Sequence, residues 1–253
     1  MRNKECFLLS VPSYINNREE NRPMPKKIYI ADDEKNIRDL IYLFLTNEGY
    51  LVKTFQTGDE LAACFAGDPC DLVILDVMMP GTDGFVLSSK IREQSNVPII
   101  IVSARDSEMD KITGISLGSD DYLTKPFSPM ELVARVKAIF RRLQLDTGVG
   151  DRDGFSFANI EIEIQGRDFK VAGEKVELSP TEFTLMEYFI NNSSRAISRE
   201  ELLKNVWKFD FEADTRATDD VIKRLRKKLV QAGSTARIES VWGFGFKLEE
   251  MAQ

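Results

Sequence analysis

Three carboxylates, a hydroxyl and an ammonium stand at the ends of four short apolar runs in this chain. Ile28, Tyr29, Ile30 and Ala31 lead into Asp32 and Asp33. Leu72, Val73, Ile74 and Leu75 lead into Asp76. Ile99, Ile100, Ile101 and Val102 lead into Ser103, and Tyr122, Leu123 and Thr124 lead into Lys125 and Pro126. Those residue types suit phosphoryl chemistry beside a hard cation. Mg2+ takes oxygen ligands in octahedral geometry and keeps several waters. Asp33 and Asp76 can supply carboxylates, Asp32 can act directly or through water, and the backbone carbonyl of Met78 can complete the protein's share. A metal so placed neutralises anionic oxygens and lets a phosphoryl group approach a carboxylate nucleophile. Lys125 offers a cation to one phosphoryl oxygen and Ser103 a hydroxyl to another.

Unbroken Ile/Val/Leu runs of this length read as strands buried on both faces of a parallel sheet. Such sheets bind ligands at the carboxyl ends of their strands. Taken singly, Asp32 and Asp33 read as a helix cap, Asp76 as a turn residue before Pro80 and Gly81, and Lys125 as a solvated loop residue. Their coincidence at four strand ends is what points to a site.

The whole chain sets bounds. It has 253 residues, 43% hydrophobic and 30% charged, room for two modest domains. No apolar run has the ~18 residues of a membrane span, and no secretory signal is recognisable, so a cytoplasmic protein is expected. There is no histidine, which excludes Ser-His-Asp, Cys-His and phosphohistidine chemistry on this chain. The three cysteines, Cys6, Cys64 and Cys70, have no metal-ligand spacing and read as free thiols. A net charge of −7 argues against a nucleic-acid coat but not against a local basic patch.

Residues 1–24 are polar and read as a disordered extension, with Met24 as an alternative start. Over 25–143, strand and helix patterns alternate, five of each, which implies a doubly wound five-stranded parallel sheet. Residues 144–154 carry glycines and aspartates and read as a linker. Over 155–250 the pattern changes. Residues 155–164 alternate apolar and polar, with further short strands at 169–171 and 176–178. Helices start at Ser179 and Ser198, a third spans 215–229, and a hairpin around Trp242 and Gly243 closes the segment. This describes an α+β winged helix-turn-helix. In the third helix Val221, Ile222, Leu225 and Leu229 share one side, while Arg216, Asp220, Lys223, Arg224 and Lys227 lie nearly opposite. Such a face is either solvated or suited to phosphates and the major groove; its neighbours favour the second.

Asp32-Asp33-Glu34, Leu75 to Gly84, Val102-Ser103-Ala104-Arg105 and Asp120 to Phe127 closely resemble CheY-like receiver domains of two-component response regulators. The resemblance implies Asp76 as phosphoacceptor, Asp32 and Asp33 as Mg2+ ligands, and Ser103 with Tyr122 as a switch pair. It implies a phosphohistidine donor on a separate sensor kinase. Phosphorylation adds roughly −1.5 to −2 charges; Ser103 turns toward them and Tyr122 moves from outside inward. Lys111, Asp120, Asp121, Glu131, Arg135 and Arg142 then lie on a surface that in the family makes a symmetric dimer through ion pairs; the bland reading is a solvated charged face.

The second half resembles the OmpR/PhoB winged-helix effector through Leu178 to Phe183, Ser198 to Leu202, Trp207, Arg216, Ile222, Arg224 to Leu229 and Gly243 to Phe246. That implies promoter DNA, a phosphorylation-favoured homodimer and RNA polymerase as partners. Two departures matter: Asp220 adds an acid that repels phosphate yet can accept from cytosine, and Trp242 replaces a common wing arginine. The aromatic packs either on a sugar–phosphate backbone or within the wing. Rival readings are a carboxylate-nucleophile phosphatase, a flavodoxin-like carrier and a regulator that binds DNA without phosphorylation. The first needs a cap domain and the second a Gly/Ser/Thr-rich phosphate loop, neither of which this chain shows, so no enzyme activity beyond self-phosphorylation and dephosphorylation is expected.

Overall fold

The computed structural model describes residues 25–144, 154–164, 166–207 and 217–251. The expected extension 1–24, most of the expected linker and Arg216 lie outside the described residues. The first half alternates β1 (Lys27–Ala31), α1 (Lys35–Asn47), β2 (Leu51–Phe55), α2 (Gly58–Gly67), β3 (Leu72–Asp76), α3 (Gly84–Gln94), β4 (Ile99–Ser103), α4 (Glu108–Ser116), β5 (Asp121–Thr124) and α5 (Pro129–Gln144). The five strands form one parallel sheet in the order β2-β1-β3-β4-β5.

Alternate residues of each central strand serve opposite layers. Ile28, Ile30, Leu72, Ile74, Ile100 and Val102 pack with Ile41, Leu45, Leu132, Val133 and Val136 of α1 and α5. Tyr29, Ala31, Val73, Leu75 and Ile99 pack with Leu61, Leu87 and Ile91 of α2 and α3. Burial on both faces is why these strands read as continuous apolar runs rather than alternations. Polar residues mark the helix starts. The side chains of Thr57, Asp83 and Ser107 accept from the backbone N–H groups of Glu60, Val86 and Asp110, each such cap worth about 1 kcal/mol.

The second half has an antiparallel sheet, β6 (Gly154–Phe157), β7 (Ile160–Glu163), β8 (Asp168–Val171) and β9 (Glu174–Lys175), in sequence order. Then come α6 (Pro180–Asn191), β10 (Ile197–Ser198), α7 (Arg199–Val206), α8 (Ala217–Gln231), β11 (Ala236–Val241) and β12 (Gly245–Glu250). The last sheet has the order β10-β12-β11, with β11 and β12 as the wing hairpin.

Two sequence expectations need correction here. Residues 155–164 are not one strand: the chain turns at Ala158 (φ 54°) and pairs back, Phe157 against Ile160. The shift of the apolar phase from odd to even positions between Phe157 and Ile160 was the mark of that turn. The strand expected at 176–178 is instead the short β9 over Glu174–Lys175, with one further backbone bond from Val176 N to the Phe169 carbonyl of β8. The helix start expected at Ser179 carries a complete capping box: Ser179 Oγ accepts from Glu182 N and the Glu182 carboxylate accepts from Ser179 N. At Ser198 only half of it forms, because the Glu201 carboxylate is taken by Arg195 and Tyr188.

The two halves share a core. Ile112 and Ile115 of α4 belong to the apolar cluster of the second half, with Phe183, Leu185, Val221, Ile222 and Leu225.

Candidate functional site

β1 and β3 are adjacent, so Asp32, Asp33 and Asp76 emerge side by side. A carboxylate oxygen from each lies within 4.8 Å of the other two. Asp32 and Asp76 are buried and Asp33 is exposed, which leaves the cluster open on one side. The α3 start is tucked under it: a Cβ on Gly84 would lie 2.1 Å from the Asp76 backbone oxygen, so no larger residue fits. Met78 sits beside the cluster, and its N–H donates to Asp76 Oδ1 at 3.2 Å.

Lys125, which follows β5 and precedes a cis bond to Pro126, places Nζ 2.8 Å from Asp76 Oδ2, 2.8 Å from Asp32 Oδ2 and 3.2 Å from Glu34 Oε1. Burial works against its charge, but the Asp32 and Asp76 bonds outweigh it and hold the ammonium above the usual lysine range. Burial raises the Asp32 carboxyl, and the Lys125 and Glu34 N–H bonds offset this only in part. The sequence does not single out Glu34 for a role. Its one signal is its position, directly after the aspartate pair and at the rim.

The cluster fits a hard cation. Its ligands are all oxygen, as Mg2+ requires. Asp32 Oδ2 is buried and meets Lys125 Nζ at 2.8 Å as an ion pair, with no second donor on it among the described residues.

Ser103, at the end of β4, is fully buried, and its Oγ accepts from Arg105 N at 3.1 Å. Tyr122 corrects one expectation. Its ring already lies inside, 5% exposed among Val77, Phe85 and Ile101, and its hydroxyl donates to the Arg105 carbonyl at 2.9 Å. The absence of a side chain at Gly114 makes the room: a Cβ there would meet the ring at 2.9 Å. Burial raises the phenol's pKa, so it is a donor at neutral pH.

Four of the charges expected on a dimer surface, Asp120, Asp121, Glu131 and Arg135, are paired within the chain. Arg135 holds Asp121 at 2.8 Å and Glu131 at 2.9 Å. Asp120 is not a surface residue. It forms a 2.6 Å pair with Arg92, both side chains 3% exposed, and its other oxygen accepts from Thr181 Oγ1 at 2.7 Å. Lys111 lies on α4. Arg142 lies in the last turn of α5, and its side chain is outside the described residues.

On α8, Asp220, Lys223 and Lys227 are exposed along a cleft of about 370 Å³ shared with Arg92, Glu93 and Ser116. Arg224 is not free, contrary to the expectation for that face: its Nη1 donates to the Ser116 carbonyl at 2.8 Å, because α4 packs on this side of α8. Burial lowers its pKa. Trp242, at the tip of the β11–β12 hairpin, is 98% exposed, so it does not pack within the wing. No described helix is long and apolar enough to cross a membrane.

Comparison with known proteins agrees with this architecture. Residues 28–137 match the response regulator receiver domain, and residues 173–248 match the C-terminal domain of transcriptional regulatory proteins. The regulatory protein VanR of Enterococcus faecium is 37% identical over 231 residues, covering 90% of this chain and all of VanR. The transcriptional regulatory protein ResD of Bacillus subtilis is 37% identical over 233 residues, covering 90% of this chain and 97% of ResD. Among solved structures, a mutant of RitR superposes with a TM-score of 0.56 at 26% identity, covering 89% of this chain and all of that one. A parallel-sheet domain with a carboxylate cluster at its strand ends, joined to a winged helix and matched along nearly its whole length by such regulators, places this chain in the OmpR/PhoB-type two-component response regulators, a family of DNA-binding transcription regulators.

Proposed function

We propose that Asp76 accepts a phosphoryl group from a phosphohistidine on a separate sensor kinase and that the charged protein, as a homodimer, binds promoter DNA. One observation carries the first half: Lys125 Nζ sits 2.8 Å from Asp76 in a cluster whose three carboxylates lie within 4.8 Å of one another. An Asp76 oxygen attacks phosphorus, the P–N bond to the donor imidazole breaks, and the imidazole, already protonated on its other ring nitrogen, keeps the electron pair and leaves neutral. The product is an acyl phosphate on Asp76. Asp32, Asp33 and Asp76, with the Met78 carbonyl, are the groups to hold Mg2+, which supplies charge neutralisation for the incoming phosphoryl oxygens.

Lys125 gives up Asp76 and pairs with a phosphoryl oxygen. Ser103 exchanges its bond from Arg105 N for a donated bond to another. Because Tyr122 is already inside, its part is to follow the loop that carries Arg105, to which its hydroxyl is bonded. Asp121, Glu131 and Arg135, with Lys111 and Arg142, are the charges a dimer would re-pair between copies. Two effectors so joined suit half-sites about one helical turn apart. Arg216, Lys223, Arg224 and Lys227 are the phosphate- and base-facing cations on DNA, Asp220 an acceptor for cytosine, and Trp242 an aromatic contact to the backbone. RNA polymerase and a cytoplasmic location complete the reading.

The test is intact-protein mass with peptide mapping after incubation with Mg2+ and acetyl phosphate, with size measured on the same sample. One phosphoryl on Asp76 and a dimer are expected. A phosphoryl on another residue would overturn the assignment.

A further inference from the structure

A second cluster of titratable side chains lies away from the phosphoryl site, where β2 meets α2. Lys53 of β2 places its Nζ 2.9 Å from the Cys64 sulfur of α2. An N–H···O bond has that length, about 2.9 Å, yet sulfur is larger than oxygen, so amine and thiol are in close contact. Two aromatic rings hold the ammonium there: Nζ lies 5.7 Å from the Tyr29 ring centroid and 5.8 Å from that of Phe55. On its other side the sulfur meets the Tyr29 hydroxyl at 3.6 Å. That hydroxyl is itself shared between the Asp68 carbonyl at 2.7 Å and the Asp68 carboxylate at 2.8 Å, and Asp68 is paired with Lys27.

The two described cysteines differ in what surrounds them. Burial pushes the Cys70 thiol up to about 12, and its sulfur donates to the Leu72 carbonyl at 3.3 Å. At Cys64 the bond from Lys53, then that with Tyr29, holds the thiol below its usual range, and the residue is half-buried. Thiolate character together with access makes a thiol oxidisable. The pair matters more than the thiol alone, because an amine stands where oxidised sulfur can be attacked.

We propose that Cys64 and Lys53 form a redox-made covalent link, an S–N bond that fastens β2 to α2 when the protein meets a hydroperoxide. β2 is an edge strand, bonded in the sheet to β1 alone, so the link adds a second tie to it. The Cys64 thiolate attacks one oxygen of hydrogen peroxide and the O–O bond breaks. The departing hydroxide takes the Lys53 proton and leaves as water. Sulfur, oxidised by two electrons, is now a sulfenic acid. The Cys64 bond is what raises the ammonium's pKa, and oxidation of the sulfur removes that hold on the proton. The neutral amine then attacks sulfur, the S–O bond breaks, and hydroxide leaves with a proton from nitrogen as a second water. Sulfenic acids condense with backbone nitrogen in the same way. Neither residue belongs to the phosphoryl cluster or to the DNA-facing set, so the link is independent of both.

The test treats the full-length chain, with Cys6→Ser to remove the thiol outside the described residues, with hydrogen peroxide and digests it with trypsin under non-reducing conditions. Loss of cleavage after Lys53 is expected, with the peptide that spans Lys53 and Cys64 lighter by two hydrogens, and a dithiol reductant should restore both. Lys53→Arg keeps a cation beside the thiol but removes the amine. In that variant the sulfenic acid should persist, and a cyclic dione should label Cys64 several-fold more than in the native pair. Loss of two hydrogens with cleavage after Lys53 intact would mean a Cys64–Cys70 disulfide and would overturn the link. Stepwise addition of oxygens to Cys64 with Lys53 still cleaved would overturn it equally, as would a Cys64 thiol that peroxide leaves unchanged.

Discussion

At the strand-end cluster the groups come from four separate segments, after β1, at the ends of β3 and β4, and past β5. At the winged helix the expected contacts come from one face of α8 and one hairpin tip. The first arrangement is held by a sheet whose central strands are buried on both sides, and its buried members Asp32 and Asp76 both pair with Lys125. The second is a surface, and a surface is available only while nothing lies on it. Here α4 lies on part of it. A site built by convergence of strands is thus set by the fold of one domain, whereas a site built on a helix face is also set by where that domain sits.

Removing the nucleophile should sharpen this contrast most. Asp76→Asn is expected to abolish phosphoryl uptake from acetyl phosphate completely, by intact mass. Retained uptake at full stoichiometry would mean the convergent site is not where it is placed here.

Next comes the pair that ties the receiver's own elements together. Arg92→Ala leaves Asp120 buried without its cation, and the expected loss is about 3–5 kcal/mol in urea unfolding. A loss below about 1 kcal/mol would show that the pair behaves as an exposed one and that this edge of the receiver is open to water.

On the helix face, Arg224→Ala, measured in the phosphorylated protein, should weaken binding to a selected DNA site by about 1–3 kcal/mol if the side chain reads a base. Equal weakening on all sequences would make it a phosphate contact instead.

The smallest effect concerns the winged helix's own stability. The Arg195 hydrogen bond, with one from Tyr188, holds the Glu201 carboxyl at about 2, against 4.5 normally. A folded value below the unfolded one means that this contribution is complete above pH 4.5 and is lost as pH falls from there toward 2. Glu201→Gln should flatten that decline by about 1 kcal/mol after solvent screening, as read from urea midpoints across the interval. An unaltered slope would assign the acid sensitivity to other carboxylates.

The fold class and the members of the strand-end cluster were legible in the chain because they depend on local pattern. Short unbroken apolar runs alternating with helix patterns read as central parallel strands, and parallel strands deliver their last residues to one edge, so Asp32, Asp33, Asp76, Ser103 and Lys125 were expected there together. The turn at Ala158 was also written there, in the phase change between Phe157 and Ile160, and a strict test of period would have found it. Glu34 and Arg92 were harder. A rim carboxylate next to an aspartate pair looks like any solvated acid, and a buried arginine on a helix looks like an exposed one until its partner is known. Amphipathicity put Arg224 on the polar side of α8 correctly. It could not say that this side faces another domain.

What the sequence determined by itself, then, are the elements, their order and the chemistry gathered at the sheet's edge, since hydrophobic period and strand direction are properties of short segments. Only the tertiary structure decided that Tyr122 lies inside, that Asp120 is spent on Arg92 and Thr181, and that Arg224 caps α4. Each of these depends on contacts between segments distant along the chain, such as Ser116 with Arg224, whose energies no local pattern encodes.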